Sequence, residues 1–171
     1  VSEKRTYGPP VEEWRPLAFD SAGTSHASII DGNEGTGDTL SWGANEAPKS
    51  FTVKLDSSSS IGRVRLKTAG DLTAGHSYSI EASKDGKTWM TVVDKTSGQY
   101  SLWQDDTFPP VEALYLRVTG NFDSSWTRSL TLYEVEAYSS VIASEAKQSQ
   151  CSGIASGTSC PRNDVPVAIE R

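Results

Sequence analysis

The chain contains the stretch Ala27-Ser-Ile-Ile-Asp-Gly-Asn-Glu-Gly-Thr36, which continues as Gly37-Asp-Thr-Leu-Ser-Trp42. Three glycines and a series of oxygen-bearing side chains lie here between an apolar pair and a tryptophan. Gly, Asn and Asp tolerate positive φ and let successive carbonyl groups point to one side of a loop, and Ca²⁺ takes oxygen ligands of this kind. The composition therefore indicates a loop that wraps around a hard cation, although an ordinary surface loop between strands has a similar composition.

On both sides of this stretch, apolar and polar residues alternate. Phe51, Val53 and Leu55 fall on one face of an extended chain, for example, and Thr52 and Lys54 fall on the other. Such alternation predicts half-buried strands. The strand-like segments are 14–20, 51–56, 63–67, 77–83, 88–93, 100–103, 114–119 and 130–138. Because no segment before residue 139 has helical periodicity, we predict an all-β fold, an antiparallel sandwich or jelly roll.

Turn signals separate these segments. Lys84-Asp-Gly-Lys87 contains Asp-Gly between two strand-like segments, which predicts a hairpin. The serine run 57–60 predicts a turn, and Pro109-Pro110 predicts an edge or a turn. Midway along segment 130–138 the apolar residues change parity, which predicts a bulge near Tyr133–Glu134.

Net charge and composition argue against several classes of protein. A net charge of -6 and a pI near 4.9 argue against a nucleic-acid-binding protein and disfavour an anionic membrane surface. No apolar run is long enough for a membrane span, and the N-terminal residues lack the apolar core of a signal peptide. Cys151 and Cys160 could close a disulfide or stay as two thiols, and His26 and His76 have no metal-ligand spacing.

Composition divides the chain into three parts. Residues 1–13 are charged and contain Gly8-Pro9-Pro10, so we predict a linker or an arm on the surface. Residues 14–138 form the predicted domain. Residues 139–171 are rich in Ala, Ser and small polar residues and predict a tail of low order. Parts of this tail, 141–149 and 160–165, resemble peptides translated from a dispersed bacterial genomic repeat.

Four motifs, in order and spacing, resemble those of discoidin domains, also called coagulation-factor type C domains. The motifs are Ile30-Asp-Gly-Asn-x-x-Thr36 followed by Trp42, Ser83-Lys-Asp-Gly-Lys-Thr-Trp89, Leu114-Tyr-Leu-Arg-Val118 and Tyr133-Glu-Val-Glu-Ala-Tyr138. The bacterial branch of that family is carbohydrate-binding module family 32. The resemblance covers residues 14–138 and implies an eight-stranded, galactose-binding-domain-like jelly roll with one structural calcium ion.

The resemblance also implies the calcium ligands. They are the carbonyl of Ser28, the carboxylate of Asp31, the carbonyl of Asn33, the carbonyl and hydroxyl of Thr36, the carbonyl of Tyr133 and the carboxylate of Glu134. The residues agree with this assignment, because Glu134 lies in an apolar strand where a lone carboxylate would be costly to bury. A cation bound by the opening loop would neutralise Glu134 together with Asp31.

One departure from the family pattern leaves alternatives. The opening loop is longer than usual before its tryptophan. Asp38 or Thr39 could therefore replace Thr36 as a ligand, and Glu136 could replace Glu134. Glu134 could also simply face water on an edge strand.

In the family, ligands bind at loops at one end of the sandwich, which correspond here to residues 21–26, 68–76 and 121–128. The last loop is the best candidate, because Phe122 and Trp126 lie in a polar segment without alternation to bury them. Sugars pack on aromatic rings and bond to nearby polar groups. The other predicted ligand-binding residues are Asn121, Arg128, His76, Asp71 and His26. Packing beneath the loop is the alternative role for both aromatic residues.

The resemblance also bears on the other tryptophans and on which sugar is bound. Trp42 and Trp89 match positions that are structural in the family, so we expect both in the core, whereas Trp103 could have either role. Galactose-binding members usually carry an arginine just after the strand that is predicted to end at Lys67, where this chain has Thr68 and Ala69. Galactose is therefore in doubt as the specific ligand.

The prediction from sequence is a non-catalytic, calcium-stabilised carbohydrate-binding module. It would be secreted or at the cell surface, as part of a larger multidomain protein, and would direct a glycan-active enzyme or surface protein to its glycan. The alternative is a discoidin-type adhesion domain that binds a protein or a phospholipid head group. An enzyme is disfavoured, because the adjacent acids Asp105-Asp106 and Glu12-Glu13 project to opposite sides of an extended chain.

Overall fold

The computed structural model describes residues 3–5, 17–43, 45–70, 75–121 and 128–140, with residues 3–5, 121 and 140 described by their backbone only. The strands are β1 (Glu3–Arg5), β2 (Leu17–Phe19), β3 (Asp38–Ser41), β4 (Ser50–Thr68), β5 (His76–Ser83), β6 (Met90–Tyr100), β7 (Leu102–Asn121) and β8 (Ser129–Ser140). A short 3₁₀-helix covers Ala27–Ile30. The all-β prediction is confirmed. The 3₁₀-helix was not predicted, because one turn is too short to show a helical period.

The strands form an antiparallel jelly-roll sandwich, because the two longest strands change partners along their length. The first part of β4 pairs with β2 and with the second part of β7, at 115–119. The last part of β4 pairs with β8 and with the first part of β7, at 102–107. The sheet order β1-β8-β4-β7-β5-β6 is therefore continuous, with β2 beside β4 and β3 beside β8.

Alternation along the strands produces the core. Phe51, Val53 and Leu55 are buried, as the pattern predicts, and so is Trp42. The same core contains the buried residues Ile61, Val64 and Leu66 of β4, and Tyr78, Ile80, Leu116, Val118, Leu130, Leu132 and Val135 of the other strands. Burying each large apolar side chain contributes about 1.5–3 kcal/mol, so this core fixes the strands that carry the loops.

Bulges replace one of the predicted turns. The serine run 57–60 lies within β4, and the residues between Lys54 and Ser59 bulge out of the ladder with β7. The turn prediction was wrong, because β4 continues across the bulge without reversing. Pro109-Pro110 lies within β7, where the register shifts between Val111 and Thr107, so a residue without an N–H group interrupts no regular pairing.

The predicted bulge in β8 is confirmed. Lys67 pairs with Glu134 and Thr68 with Leu132, so Tyr133 is the extra residue. This insertion moves the buried side chains of β8 from one parity to the other. In addition, no helix among the described residues has the length and apolar character of a membrane span.

Candidate functional site

The loop from Ala27 to Gly37 packs against β8 at this bulge. The Gly32 amide donates a hydrogen bond of 2.8 Å to the carboxylate of Glu134, whose side chain is 1% exposed. A Cβ atom on Gly37 would lie 2.5 Å from the Leu132 carbonyl oxygen and 2.9 Å from the Tyr133 Cα. Only glycine therefore allows this approach, which brings the loop backbone against the buried carboxylate.

Within the loop, the predicted ligands Asp31, Asn33 and Thr36 are adjacent. The Asp31 carboxylate accepts hydrogen bonds from the Asn33 amide at 2.7 Å and from the Thr36 hydroxyl at 2.8 Å. The Thr36 amide and hydroxyl both donate to the Asn33 carbonyl, at 3.1 and 3.0 Å. The oxygen atoms of Asp31, Asn33 and Thr36 therefore lie close together in the loop, next to Gly32, which donates to Glu134.

These residues have the chemistry of a site for a hard cation. The predicted set contains two carboxylates, and its other ligands are carbonyl and hydroxyl oxygens. Within the ranges that the structure describes, no three His, Cys, Asp or Glu side chains cluster as metal ligands. Carboxylate, carbonyl and hydroxyl oxygens are the kinds of ligand that Ca²⁺ takes in proteins.

The alternative ligands have other partners. Glu136 accepts hydrogen bonds from Arg65 at 3.0 Å and from the Tyr138 hydroxyl at 2.6 Å. The Thr39 hydroxyl is bonded to that of Thr131 at 2.7 Å. A third alternative, Asp38, accepts a hydrogen bond from the Ser28 hydroxyl and lies 3.2 Å from the imidazole of His26.

A clamp that the sequence did not reveal also holds the loop. The Lys67 ammonium donates to the carbonyl and the carboxylate of Glu34, both at 3.1 Å, and the Trp103 indole N–H donates to the same carboxylate at 3.2 Å. These hydrogen bonds, that of Lys67 above all, lower the pKa of Glu34. The three residues are far apart in sequence and form no motif, so only the strand pairing brings them together.

Two of the three predicted ligand-binding loops, 68–76 and 121–128, begin and end at one end of the sandwich. His76 pairs with Tyr100, whose carbonyl accepts a 3.0 Å hydrogen bond from the Thr68 hydroxyl. Ser77 pairs with Asn121, the last residue of β7. At the start of β8, the carbonyl of Arg128 accepts a 2.9 Å hydrogen bond from the amide of Trp42, and the Ala69 amide donates to the Thr131 carbonyl at 3.1 Å.

The structure gives different positions to the predicted ligand-binding residues. His26 and His76 are only 8% and 9% exposed, so each offers little surface to a ligand. The His26 ring packs edge-on against Phe51, with 5.0 Å between centroids. Arg128 is half-buried, and Asn121 is described by its backbone only. Phe122, Trp126 and Asp71 lie outside the described residues.

The tryptophans differ from one another. Trp42 is 7% exposed and belongs to the core, as predicted. The expectation that Trp89 would also be in the core was wrong. Trp89 is only half-buried, and the Arg117 guanidinium lies 4.1 Å from its ring centroid. Trp103 is half-buried beneath Arg65, at 4.4 Å.

Several solved structures are similar to this one. Chitosan-binding module 1 of a chitosanase/glucanase from Paenibacillus sp. IK-5 is 29% identical, with a TM-score of 0.60 over 72% of this chain and 94% of that chain. The family 32 module of Clostridium perfringens NanJ, solved with galactose, is 21% identical, with a TM-score of 0.59 over 80% and 99%. The family 32 module of AlyQ, solved with 4,5-unsaturated mannuronic acid, is 22% identical, with a TM-score of 0.58 over 78% and 97%.

A comparison with curated protein sequences gives no match. A family model for the NedA-like, galactose-binding domain of the F5/8 type C group matches residues 28–118, which is more than half of the 171 residues. The match includes the loop on β8, the hairpin and most of β7. The chain therefore belongs to the NedA-like, galactose-binding domain family of F5/8 type C domains.

Proposed function

We propose that this chain is a non-catalytic carbohydrate-binding module, which directs a secreted glycan-active enzyme or surface protein to its glycan. The observation that carries the proposal is the convergence of the ends of β4 and β7 and the starts of β5 and β8 at one end of the sandwich. Loops 68–76 and 121–128 connect these ends. A set of loops on a rigid scaffold is a common setting for a binding site.

The ligand class follows from the residues of these loops and from the relatives. Loop 121–128 supplies aromatic rings in Phe122 and Trp126, with Asn121 and Arg128 as hydrogen-bonding groups. Rings and polar groups in one loop suit the C–H faces and hydroxyls of a sugar. Among the similar modules, one is a chitosan-binding module, and two were solved with galactose and with 4,5-unsaturated mannuronic acid. We therefore propose a glycan as the ligand.

The side chains at the end of β4 do not favour galactose as the specific ligand. Thr68 is buried and bonded to Tyr100, and Ala69 has no polar side chain. The arginine that galactose-binding members carry there is thus absent from both positions. Another pyranose, or a galactose bound by different groups, is the expected ligand.

We further propose that the loop on β8 holds a structural calcium ion. The ion would be bound by the oxygens of Ser28, Asp31, Asn33, Thr36, Tyr133 and Glu134. Calcium would neutralise the carboxylates of Asp31 and Glu134 and join the loop to β8. The support is the position of the buried Glu134 carboxylate at the loop backbone, where it could supply a carboxylate oxygen to an ion that the loop also binds.

A glycan array tests the proposed function directly. The wild type should bind a defined group of glycans, and Trp126→Ala should lose that binding while keeping the wild-type melting temperature. Phospholipid vesicles provide a control for the adhesion alternative. Vesicle binding without glycan binding would contradict the proposal, and full glycan binding by Trp126→Ala would contradict the assignment of this residue.

A further inference from the structure

A groove of about 480 Å³ crosses the outer face of the sheet. One wall is the turn after β2, which includes Asp20 and Gly23, and the other wall is the β5–β6 turn around Gly86. Both glycines have positive φ, 82° and 70°, so both turns have conformations that favour glycine. The groove is lined by none of the individual residues predicted to bind the ligand or calcium, although Ser21 and Gly23 belong to the predicted ligand-binding loop 21–26.

Aromatic rings line the groove in fixed positions. Phe19, Trp89 and Tyr115 are half-buried there. Trp89 stacks with Arg117, which donates a 2.7 Å hydrogen bond to Glu81. These contacts hold the Trp89 ring before any ligand arrives, which lowers the entropy cost of binding. Partly exposed rings of this kind are suitable platforms for the C–H face of a sugar.

Charged groups face the groove from both walls. Oδ1 of Asp20 accepts two backbone hydrogen bonds of 2.9 Å, and Oδ1 of Asp85 accepts two of 2.8 Å. These bonds lower the pKa of Asp20, and they lower the pKa of Asp85 to about 2. Lys87 also lines the groove, and its ammonium has no ion pair or hydrogen bond with the residues that the structure describes.

The charges of the groove balance. Asp20 and Asp85 oppose Lys87 and Arg117, so the lining has no formal net charge. Such a lining offers both hydrogen-bond donors and hydrogen-bond acceptors, and its zero net charge does not select a charged ligand. A neutral sugar, whose hydroxyls donate and accept, matches this set of groups.

The floor of the groove excludes an added peptide strand. Its residues belong to β4 and β7. β4 lies between β2 and β7, and β7 lies between β4 and β5. Their backbone groups are therefore already paired, and a peptide that binds by strand addition needs an open sheet edge.

We propose that this groove is a second saccharide-binding site, which takes a neutral pyranose unit of a glycan against Trp89 and Tyr115, with hydroxyls bonded to Asp20, Asp85 and Lys87. The inference rests on the proposed carbohydrate-binding function. It adds a lateral site to the one at the loop end, so that a single module could contact a glycan at two places.

Amide NMR titrations of the full chain test this site. The probes are neutral oligosaccharides, namely cellopentaose, xylopentaose, β-1,4-galactopentaose and N-acetylchitopentaose, with oligomannuronate and oligoglucosamine as charged comparisons. Ser21→Arg places a long side chain in the groove, and Ala22→Arg places the same charge on the neighbouring exposed residue outside it. Lys87→Ala and its control Lys84→Ala form a second matched pair in the opposite turn.

We expect a neutral probe to shift the resonances of residues 20–23 and 85–89. Ser21→Arg and Lys87→Ala should each weaken the affinity measured from these shifts at least about tenfold. Ser21→Arg removes the space for the sugar, and Lys87→Ala removes a hydrogen bond to a charged group. Ala22→Arg and Lys84→Ala should leave the response unchanged. Folding of every variant is confirmed by its spectrum.

The outcomes separate the two proposals. Shifts only at the loop end, around Ala69, His76 and Arg128, would overturn the groove site and leave the proposed function intact. A groove response to charged probes alone, or one that Ser21→Arg leaves unchanged, would also overturn it. Shifts in the groove alone would support the groove and overturn the loop-end assignment. No shift with any probe would overturn both.

Discussion

At the scale of single residues, Gly37 decides whether the loop can reach β8. We expect Gly37→Ala to lower the free energy of unfolding by about 1–3 kcal/mol, the usual cost of overpacking. The reason is that the added Cβ would lie 2.5 Å from the Leu132 carbonyl oxygen and 2.9 Å from the Tyr133 Cα, and these backbone atoms cannot move aside as the end of a flexible side chain can. Urea unfolding followed by fluorescence measures the change.

Gly35→Ala is the matched control, two residues earlier in the same loop. Its Cβ would meet only the side-chain oxygen of Asn33, at 3.3 Å. That side chain can shift, so the free energy of unfolding should change by no more than about 0.5 kcal/mol. Equal effects of the two substitutions would show that the loop does not approach β8 in this way.

At the scale of elements, the turn between β5 and β6 depends on one ionised carboxylate. Asp85 accepts hydrogen bonds from the amides of Lys87 and Thr88, which lower its pKa from 3.8 to about 2. A lowered pKa in the folded state stabilises the fold at pH values above 3.8, and this contribution is lost as the pH falls from about 4 to about 2.

We therefore expect Asp85→Asn to be less stable than the wild type at neutral pH. The difference should shrink as the pH falls from about 4 to about 2, because the wild-type carboxyl becomes protonated over that range. Thermal melts between neutral pH and pH 2 measure it, with Asp56→Asn as a control for an exposed carboxylate. A difference that stays constant with pH would contradict the assigned role of Asp85.

The elements also show what sequence can predict. Alternation identified β4, β5 and β8, and the parity change located the bulge at Tyr133, because both effects follow from neighbouring residues. The serine run 57–60 led to the wrong prediction of a turn, since the same residues suit a turn and a bulge within a strand. The clamp between Glu34, Lys67 and Trp103 depends on strand register, which no local pattern encodes. The groove depends on it as well.

At the scale of the whole molecule, a calcium ion would join the first loop to the last strand. We expect calcium at about 100 times its Kd to add about 2.7 kcal/mol to the stability of the folded state, which corresponds to about 5–10 °C in Tm. Glu134→Gln should abolish this increase by removing one carboxylate ligand. Calorimetric melts with calcium and with chelator provide the comparison.

Glu136→Gln is the control for that experiment. Glu136 is bonded to Arg65 and Tyr138, so its neutral variant should keep the full calcium-dependent increase in Tm. Wild-type melts that coincide with and without chelator would contradict the structural calcium. A loss of the increase in Glu136→Gln alone would reassign the acidic ligand from Glu134 to Glu136.

The central claim is that a glycan binds at the end of the sandwich where the loops meet, and calorimetric titration with the strongest glycan from the array tests it most directly. The wild type should bind this glycan at a single dominant site, and Arg128→Met, which keeps the length of the side chain without its charge, should weaken the affinity about tenfold or more. An unchanged affinity in a folded Arg128→Met variant would contradict the claim.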